Sequence, residues 1–327
     1  MVDFLLMRFL LLFTLLAMLT SHTQAQTLLH QTMTLQVPDG RLHGSLLLPK
    51  TTEPLPVALL IAGSGPTDRD GNNPMGRNDS LKRLAQALAK RGIASLRYDK
   101  RGVGRSLAVA PDERQLSVDR YVADAVAWAR LLKADPRFSD VVLIGHSEGA
   151  LIASLAEPIV KPAALISIAG SGQPIDLLLR EQLQGRLPPP LLATAHYLID
   201  ELKAGRTHEQ VPEALHVLFR PSVQPYLITL FDQEPARAFA HTTAPALIIQ
   251  GTHDIQVGRD DAYALQHARE DAELVLIQGM NHVLRIVPME RDRQRASYDR
   301  PELPIAHALP EQISQFLHKH SVLPASS

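Results

Sequence analysis

Hydrophobic residues along this chain occur mainly in short unbroken runs, which alternate with segments of helical periodicity. A strand with both faces covered by helices carries continuous apolar sequence, whereas a half-exposed strand alternates apolar and polar positions. The unbroken runs therefore predict parallel strands buried between helices. Six runs fit this description: residues 57–61, 93–96, 141–144, 163–168, 246–249 and 274–277.

The beginning of the chain has a different pattern. Residues 33–37 and 42–48 form two β-type runs on either side of Pro38-Asp39-Gly40, which is typical of an antiparallel hairpin with a tight turn. Helical spacing follows in residues 80–90, 117–133 and 310–319. Together these patterns predict an α/β fold, with a mostly parallel, doubly wound sheet and an N-terminal antiparallel hairpin.

Residues 173–241 interrupt the alternation of strands and helices. They contain helical periods at 174–184, 191–204 and 209–218, many prolines and several aromatic residues, but no convincing buried strand. We interpret this segment as a helical cap inserted over the carboxyl edge of the sheet, where it encloses a substrate pocket. The predicted domains are a core at 26–172, the cap at 173–241, a second core part at 242–320 and a flexible tail at 321–327.

The first 25 residues have the pattern of a signal peptide. Arg8 precedes an apolar run that ends at Leu19, and a polar stretch then leads to a small-residue cleavage site at Ala25. The run is shorter than the ~20 residues that cross a bilayer, so we favour cleavage over an uncleaved anchor. We therefore expect an exported protein, periplasmic or secreted, with no stable membrane insertion after cleavage. The chain contains no cysteine, which excludes a lipoprotein signal and disulfides.

Charge and composition point to a small-molecule partner. The chain has 33 Lys and Arg against 34 Asp and Glu, interspersed along its length, with a formal net charge of −1. This distribution gives no cluster of positive charge that would indicate binding to nucleic acid or to an anionic membrane. No pair of histidines has metal-ligand spacing, so the sequence predicts neither a metal nor a cofactor. It does not predict the oligomeric state.

One candidate nucleophile stands out. Gly145-His146-Ser147-Glu148-Gly149 follows a predicted buried strand and leads directly into a helical segment. Gly-x-Ser-x-Gly in that context is the sequence form of a nucleophile elbow, because the strained turn needs small residues two positions before and after the serine. The alternative is a chance match in a loop.

A serine nucleophile needs a base, and the base needs a carboxylate to orient it. Asp254 and His282 each follow a predicted strand on the side of the sheet where Ser147 lies, in the chain order expected of this chemistry. We predict that these three residues are catalytic. The alternatives are a turn or helix-capping role for Asp254 and a surface position for His282.

The reaction also needs backbone N–H groups to stabilise an oxyanion. We predict that the amides of Ser64, in the Gly-rich loop after the first buried strand, and Glu148 supply them. A nucleotide-binding loop is the alternative for the Gly-rich segment, but no Lys-Ser/Thr follows Gly65. We expect the Glu148 side chain to face the mouth of the pocket, where its charge disfavours anionic substrates.

These motifs together resemble the α/β-hydrolase superfamily, and specifically bacterial serine carboxylesterases. Residues 62–72, Ala-Gly-Ser-Gly-Pro-Thr-Asp-Arg-Asp-Gly-Asn, and residues 97–106, Arg-Tyr-Asp-Lys-Arg-Gly-Val-Gly-Arg-Ser, carry this resemblance. It covers nearly the whole chain after the signal segment, and it departs at Ala62, where many hydrolases have His. The resemblance implies hydrolysis of small to medium carboxylic esters through an acyl-serine intermediate.

Other functions of the same fold remain open at this point: a serine peptidase acting on short peptides, a thioesterase or acyltransferase, and a lipase. A silent ligand-binding protein that keeps the hydrolase fold is the non-enzymatic alternative. In the long polar loop, Asp68, Arg69 and Asp70 are interpreted as structural, as are Arg97 and Asp99 beneath the elbow.

Overall fold

The computed structural model describes residues 28–324, so the predicted signal peptide and the last three residues of the predicted tail lie outside it. One sheet of eight strands, in the order β1-β2-β4-β3-β5-β6-β7-β8, forms the centre of the molecule. Its strands are β1 (Leu28–Val37), β2 (Gly40–Pro49), β3 (Leu55–Ile61), β4 (Ala94–Tyr98), β5 (Phe138–His146), β6 (Ala164–Ile168), β7 (Ala246–Gly251) and β8 (Glu273–Ile277).

The sheet is antiparallel only at its N-terminal edge. β1 and β2 form a hairpin in which Val37 faces Gly40, so Pro38 and Asp39 make the turn. β2 also pairs antiparallel with β4, and all pairings from β4 to β8 are parallel. These pairings confirm the predicted fold class.

Helices follow most of the strands. None of the helices between residues 28 and 324 combines the length and apolarity needed to cross a membrane. The α-helices are α1 (Ser80–Ala89), α2 (Val118–Lys133), α3 (Glu148–Val160), α4 (Ile175–Leu183), α5 (Pro189–Lys203), α6 (His216–Phe219), α7 (Gln224–Phe231), α8 (Pro235–Ala240), α9 (Arg259–Ala268), α10 (Arg291–Ser297) and α11 (Ala308–Lys319). Short 3₁₀ helices lie at Gly104–Val109, Glu113–Gln115 and Glu213–Leu215.

Each face of the sheet has its own hydrophobic core. Alternate residues of one strand point to opposite faces, so Leu59 packs with Trp128 of α2 while its neighbour Leu60 packs with Leu84 of α1. Leu309 of α11 belongs to the second core. Burial on both faces explains why the strands have unbroken apolar sequence.

The segment between β6 and β7 contains five α-helices and a hydrophobic cluster of its own, which includes Leu198, Leu202, Phe219 and Phe231. We call residues 173–241 the cap. The sequence predicts a continuous helix at 209–218, but the structure has only a 3₁₀ turn at Glu213–Leu215 followed by α6. Pro212 precedes the turn in an extended conformation, and a proline cannot continue an upstream helix.

Candidate active site

A single residue, Ser147, forms the turn between strand β5 and helix α3. β5 ends at His146 and α3 begins at Glu148, and between them Ser147 has φ 56° and ψ −124°. Positive φ is strained for a residue with a side chain, and such strain is typical of functional turns. The Ser147 backbone N–H donates to the carbonyl of Ile168 at 2.9 Å, which fixes the turn against the neighbouring strand β6.

The two glycines of the elbow are required by close backbone contacts. A Cβ atom at Gly145 would lie 2.1 Å from the carbonyl oxygen of Gly149, and one at Gly149 would lie 2.2 Å from that of Ile61. Neither position can hold a larger side chain without moving the backbone. The spacing of the motif thus follows from the packing of β5, α3 and β3.

Asp254 and His282 meet in a hydrogen bond. His282 Nδ1–H donates to Asp254 Oδ2 at 2.7 Å, and the other oxygen of Asp254 accepts the backbone N–H groups of Gln256 and Val257 at 2.8 and 3.0 Å. Burial on its own would raise the pKa of Asp254, but His282 and these amides outweigh it and lower the pKa. With Nδ1 protonated, Nε2 of neutral His282 is available as a proton acceptor.

Backbone contacts between two loops align this pair. The N–H groups of Thr252 and His253, after β7, donate to the carbonyls of Ile277 and Met280, after β8, each at 3.0 Å. Thr252 Oγ1 in turn accepts the Gly279 N–H at 2.9 Å. Because β7 and β8 are adjacent and parallel, the loops leave the sheet side by side and bring the carboxylate to the imidazole.

His146 connects the elbow to the loop that carries His282. Its Nε2–H donates to the His282 carbonyl at 2.8 Å, and the two ring centres are 4.9 Å apart. Burial, together with the nearby His282, lowers the pKa of His146 to about 4, so this imidazole is neutral. The loop that carries His282 is therefore anchored to the residue directly before Ser147.

Asn281 holds the loop from its other side, a role that the sequence analysis missed. Its amide donates to Ser297 Oγ on α10 at 2.8 Å, and its side-chain oxygen accepts the Arg285 N–H at 3.0 Å. The only sequence signal was its place next to His282.

The predicted oxyanion loop lies against the elbow. A Cβ atom at Gly63 would be 3.1 Å from Ser147 Cβ, so glycine lets the loop approach closely. Lys100, which the sequence analysis did not single out, is buried and donates a hydrogen bond from Nζ to the Gly63 carbonyl. Glu148 is the first residue of α3, and its backbone N–H therefore has no acceptor within the helix.

Buried ion pairs secure the long polar loop that follows. Arg69 contacts Asp99 through Nε at 3.0 Å and Nη2 at 2.7 Å, and Arg97 pairs with Asp70. Asp99 also accepts the backbone N–H of Arg105 at 2.9 Å. These contacts agree with the structural interpretation of the four residues and also of the loop at 97–106.

A cavity of about 820 Å³ lies between the cap and the carboxyl edge of the sheet. Ser64, Ser147 and Glu148 line it, whereas Asp254 and His282 are buried outside its wall. Most of the other lining side chains are apolar, from the core Val103, Leu107, Leu116 and Leu151, and from the cap Ile175, Leu178, Leu218, Val223, Leu227, Leu230 and Phe231.

The position expected for the Glu148 side chain is wrong. Instead of facing the mouth of the pocket, Glu148 is only 7% exposed and lies in the cavity wall. The reason is the cap: Tyr226 of α7, also part of that wall, lies near the Glu148 carboxylate. Nothing local in the sequence indicates this contact, because α7 is distant in the chain.

A mostly parallel sheet, a strand–serine–helix turn at a central strand and an Asp–His pair on the loops of two later strands define an α/β hydrolase. A model of the alpha/beta hydrolase family matches residues 58–297, and the chain belongs to this family. The family predicted from the sequence is thereby confirmed.

Several proteins that are similar to this chain are named esterases. It is 29% identical over 247 residues to esterase EstD of Thermotoga maritima, a match that covers 74% of this chain but only 58% of that protein's length. Est1E of Butyrivibrio proteoclasticus, solved with ferulic acid bound, has a TM-score of 0.59 at 17% identity and covers 89% of this chain and all of its own. The esterase domain of a Rhodothermus marinus protein has a TM-score of 0.55 at 19% identity, over 89% and 98% of the two chains.

Proposed function

We propose that this protein is a serine carboxylesterase that hydrolyses esters of small to medium acyl chains. The observation that carries the proposal is Ser147 at the apex of a strained elbow that opens into a largely apolar cavity. The Asp254–His282 hydrogen bond and the esterase relatives support it.

The proposed mechanism has two halves. Ser147 Oγ attacks the acyl carbon while His282 Nε2 takes the hydroxyl proton of Ser147. The oxyanion that forms accepts hydrogen bonds from the backbone N–H groups of Ser64 and Glu148. His282 then protonates the leaving alcohol, and an acyl-serine remains. Water, deprotonated by His282, attacks this ester; as the acid is released, His282 returns the proton to Ser147 Oγ. Asp254 holds the imidazole and stabilises its positive charge in both halves.

The cavity supports an uncharged, partly apolar ester as substrate. Its volume of about 820 Å³ lies within the range of about 300–1,000 Å³ typical of small-molecule sites. We propose a small-molecule ester as the partner and export to the periplasm or the medium as the location. Mass spectrometry of the protein purified from an exporting host tests the second point, since cleavage after Ala25 yields a chain that begins at Gln26.

The first test is Ser147→Ala, assayed on p-nitrophenyl esters from acetate to palmitate and on aminoacyl p-nitroanilides. We expect the variant to stay folded and to lose about 10⁴-fold or more in turnover, because no other group supplies the nucleophile. Ser171→Ala is the matched control, since Ser171 also lines the cavity but its hydroxyl is bonded to Gln173 and Asp261.

If folded Ser147→Ala had a turnover near that of the wild type, Ser147 would not be the nucleophile. Cleavage of anilides in preference to esters would replace the esterase by a peptidase. Labelling of the wild type, but not of Ser147→Ala, by a fluorophosphonate probe separates an enzyme from a silent binding protein.

A further inference from the structure

The wall of the cavity contains two buried polar atoms without a hydrogen-bond partner. They are Glu148 Oε2 and the Tyr226 hydroxyl, on side chains that are 7% and 6% exposed. Both residues line the cavity together with Ser147. A buried carboxylate oxygen without a partner is costly, and such an exception in a cavity wall needs an explanation.

Tyr226 and Glu148 are close enough to interact but do not fully satisfy each other. Burial, the negative charge of Glu148 and the approach of the phenol to its carboxylate all raise the pKa of Tyr226 well above its ordinary value. That approach falls short of normal hydrogen-bond geometry, so Glu148 Oε2 and the hydroxyl are left without a complete hydrogen bond. Burial and Glu148 act in the same way on the pKa of Tyr121, whose ring packs edge-on against Tyr226 at 5.5 Å. A carboxylate acceptor and a phenol donor thus lie side by side in an otherwise apolar wall.

The charge of Glu148 already has a partner nearby. Burial lowers the pKa of Lys100, and attraction to Glu148 opposes that shift. The Lys100 ammonium donates to the Gly63 carbonyl, so it balances the charge of Glu148 without occupying Oε2. A neutral donor suits this environment better than a second cation, and a substrate carboxylate would meet a like charge.

The other acidic side chains of the cavity wall are already engaged. Glu113 accepts hydrogen bonds from Arg220 and Ser222, and Asp112 accepts them from Arg114. Among the cavity-lining carboxylates of residues 28–324, the unpartnered oxygen therefore belongs to Glu148. Its position directly after Ser147 puts this acceptor beside the proposed reaction centre.

We propose that Glu148 and Tyr226 form a polar subsite that binds a hydroxyl group of the substrate. The subsite makes the protein prefer hydroxylated esters to their alkyl counterparts. Both atoms are buried, so binding moves the two side chains slightly apart. The hydroxyl then donates to the Glu148 carboxylate and can accept from the Tyr226 hydroxyl, so one neutral group satisfies both side chains. This inference rests on the proposed esterase function and adds a substrate class to it.

The test compares kcat/KM for pairs of esters in which a hydroxyl replaces a methyl group. Two pairs place it in the acyl part: p-nitrophenyl 3-hydroxybutanoate against 3-methylbutanoate, and 6-hydroxyhexanoate against heptanoate. A third pair, 2-hydroxyethyl against propyl butanoate, places it in the alcohol part. The pair with the largest preference identifies which part of the ester reaches the subsite.

We expect the wild type to prefer the hydroxylated member of at least one pair. Glu148→Met should lower that preference about tenfold or more, since hydrogen bonds to charged groups are the stronger ones. Tyr226→Phe should lower it less. The ratio of kcat/KM values cancels any loss that affects both esters, including a disturbed oxyanion amide at position 148.

Asp112→Asn is the matched control. It removes the charge of another carboxylate in the same cavity wall, at a side chain already bonded to Arg114 and not linked to the cap, and should leave the preference unchanged. An equal preference in wild type and Glu148→Met, or no preference in any pair, would overturn the subsite while alkyl esters are still hydrolysed. No hydrolysis of any ester, with no fluorophosphonate labelling, would overturn the esterase and the subsite together.

Discussion

His146 occupies the x position of the elbow without being a proposed member of the reacting group. Its imidazole fills the space between the turn at Ser147 and the loop of His282, and its hydrogen bond to the His282 carbonyl needs a proton on Nε2. A second proton, on Nδ1, would put a charge into a buried site. Burial therefore imposes a requirement for the neutral form of His146.

This requirement predicts a loss of stability in mild acid. The folded-state pKa of His146 is about 4 against 6.5 in the unfolded chain, so only the unfolded chain takes up this proton in that interval. Above pH 6.5 the burial of neutral His146 therefore contributes about 3 kcal/mol to the free energy of unfolding. This contribution is lost as the pH falls from 6.5 to about 4.

Urea unfolding of the wild type and His146→Gln between pH 8 and pH 4 measures this contribution. Gln keeps an N–H donor for the His282 carbonyl but does not titrate in this range. We expect the variant to lose about 3 kcal/mol less than the wild type over that interval. If the free energy of unfolding depended on pH in the same way in both proteins, His146 would not be the titrating group.

At the scale of elements, a buried ion pair joins two of the loops around the elbow. Asp99, at the end of β4, joins the Arg69 side chain and the Arg105 backbone, and the Arg69 and Asp99 side chains are 10% and 4% exposed. Burial alone would raise the pKa of Asp99, but the bonds from Arg69 and Arg105 lower it. The carboxylate is therefore ionised and tied to two loops.

Asp99→Asn should cost about 3 kcal/mol of the free energy of unfolding, because it leaves the Arg69 guanidinium buried without its counter-charge. The matched control is Asp112→Asn, the same change in the exposed pair with Arg114, which should leave the free energy of unfolding nearly unchanged. Urea unfolding at pH 7 measures both values. Similar costs for the two variants would mean that the buried pair does not hold the loops.

Much of the fold could be predicted from the sequence because burial on both faces of the sheet leaves a strong local signal. The strand around Val142 and the one around Ile248 are found within a few residues of their predicted places. The elements that differed were set by distant contacts or by single prolines. Of the helix predicted at 209–218, only the part after Pro212 is helical, and the burial of Glu148 depends on Tyr226 in a remote cap helix.

The candidate site shows the same division. Ser147, Asp254 and His282 could be proposed because each lies in the loop or turn that follows a strand, and parallel strands bring their carboxyl ends to one edge of a sheet. The roles of Lys100 and Asn281 could not, since they depend on which backbone groups lie opposite their side chains. Whether the three proposed catalytic residues act as such stays a prediction.

At the scale of the molecule, the cap is tied to the core across the cavity. Arg220, after α6, donates through Nε to Glu113 of the core at 2.6 Å, and Ser222 bonds the same carboxylate. Burial would raise the pKa of Glu113, but these bonds outweigh it and lower the pKa. Thr229 Oγ1 of α7 accepts the Val118 N–H at 3.1 Å as a second link.

Arg220→Met should loosen the cap without unfolding the core. We expect faster hydrogen exchange in α6 and α7, by about fivefold, which corresponds to the ~1 kcal/mol of a half-exposed ion pair. Arg206→Met is the control, because Arg206 bonds Glu201 within the cap and does not reach the core. Exchange in α6 and α7 that is equally fast in both variants would contradict a specific link between cap and core.

The separate hydrophobic cluster of the cap has a consequence for how this protein can acquire new substrates. Leu198 and Phe219 pack within the cap, whereas Leu230 of the same segment belongs to one of the two cores of the sheet. Cavity-lining residues outside both cores, such as Leu178 and Val217, can therefore vary while the sheet and the elbow stay as they are. A mutant library confined to those cavity-lining positions can yield new substrate specificities with little risk to folding. In a library that also varies Gly145 or Gly149, most variants would be unable to form the turn at Ser147.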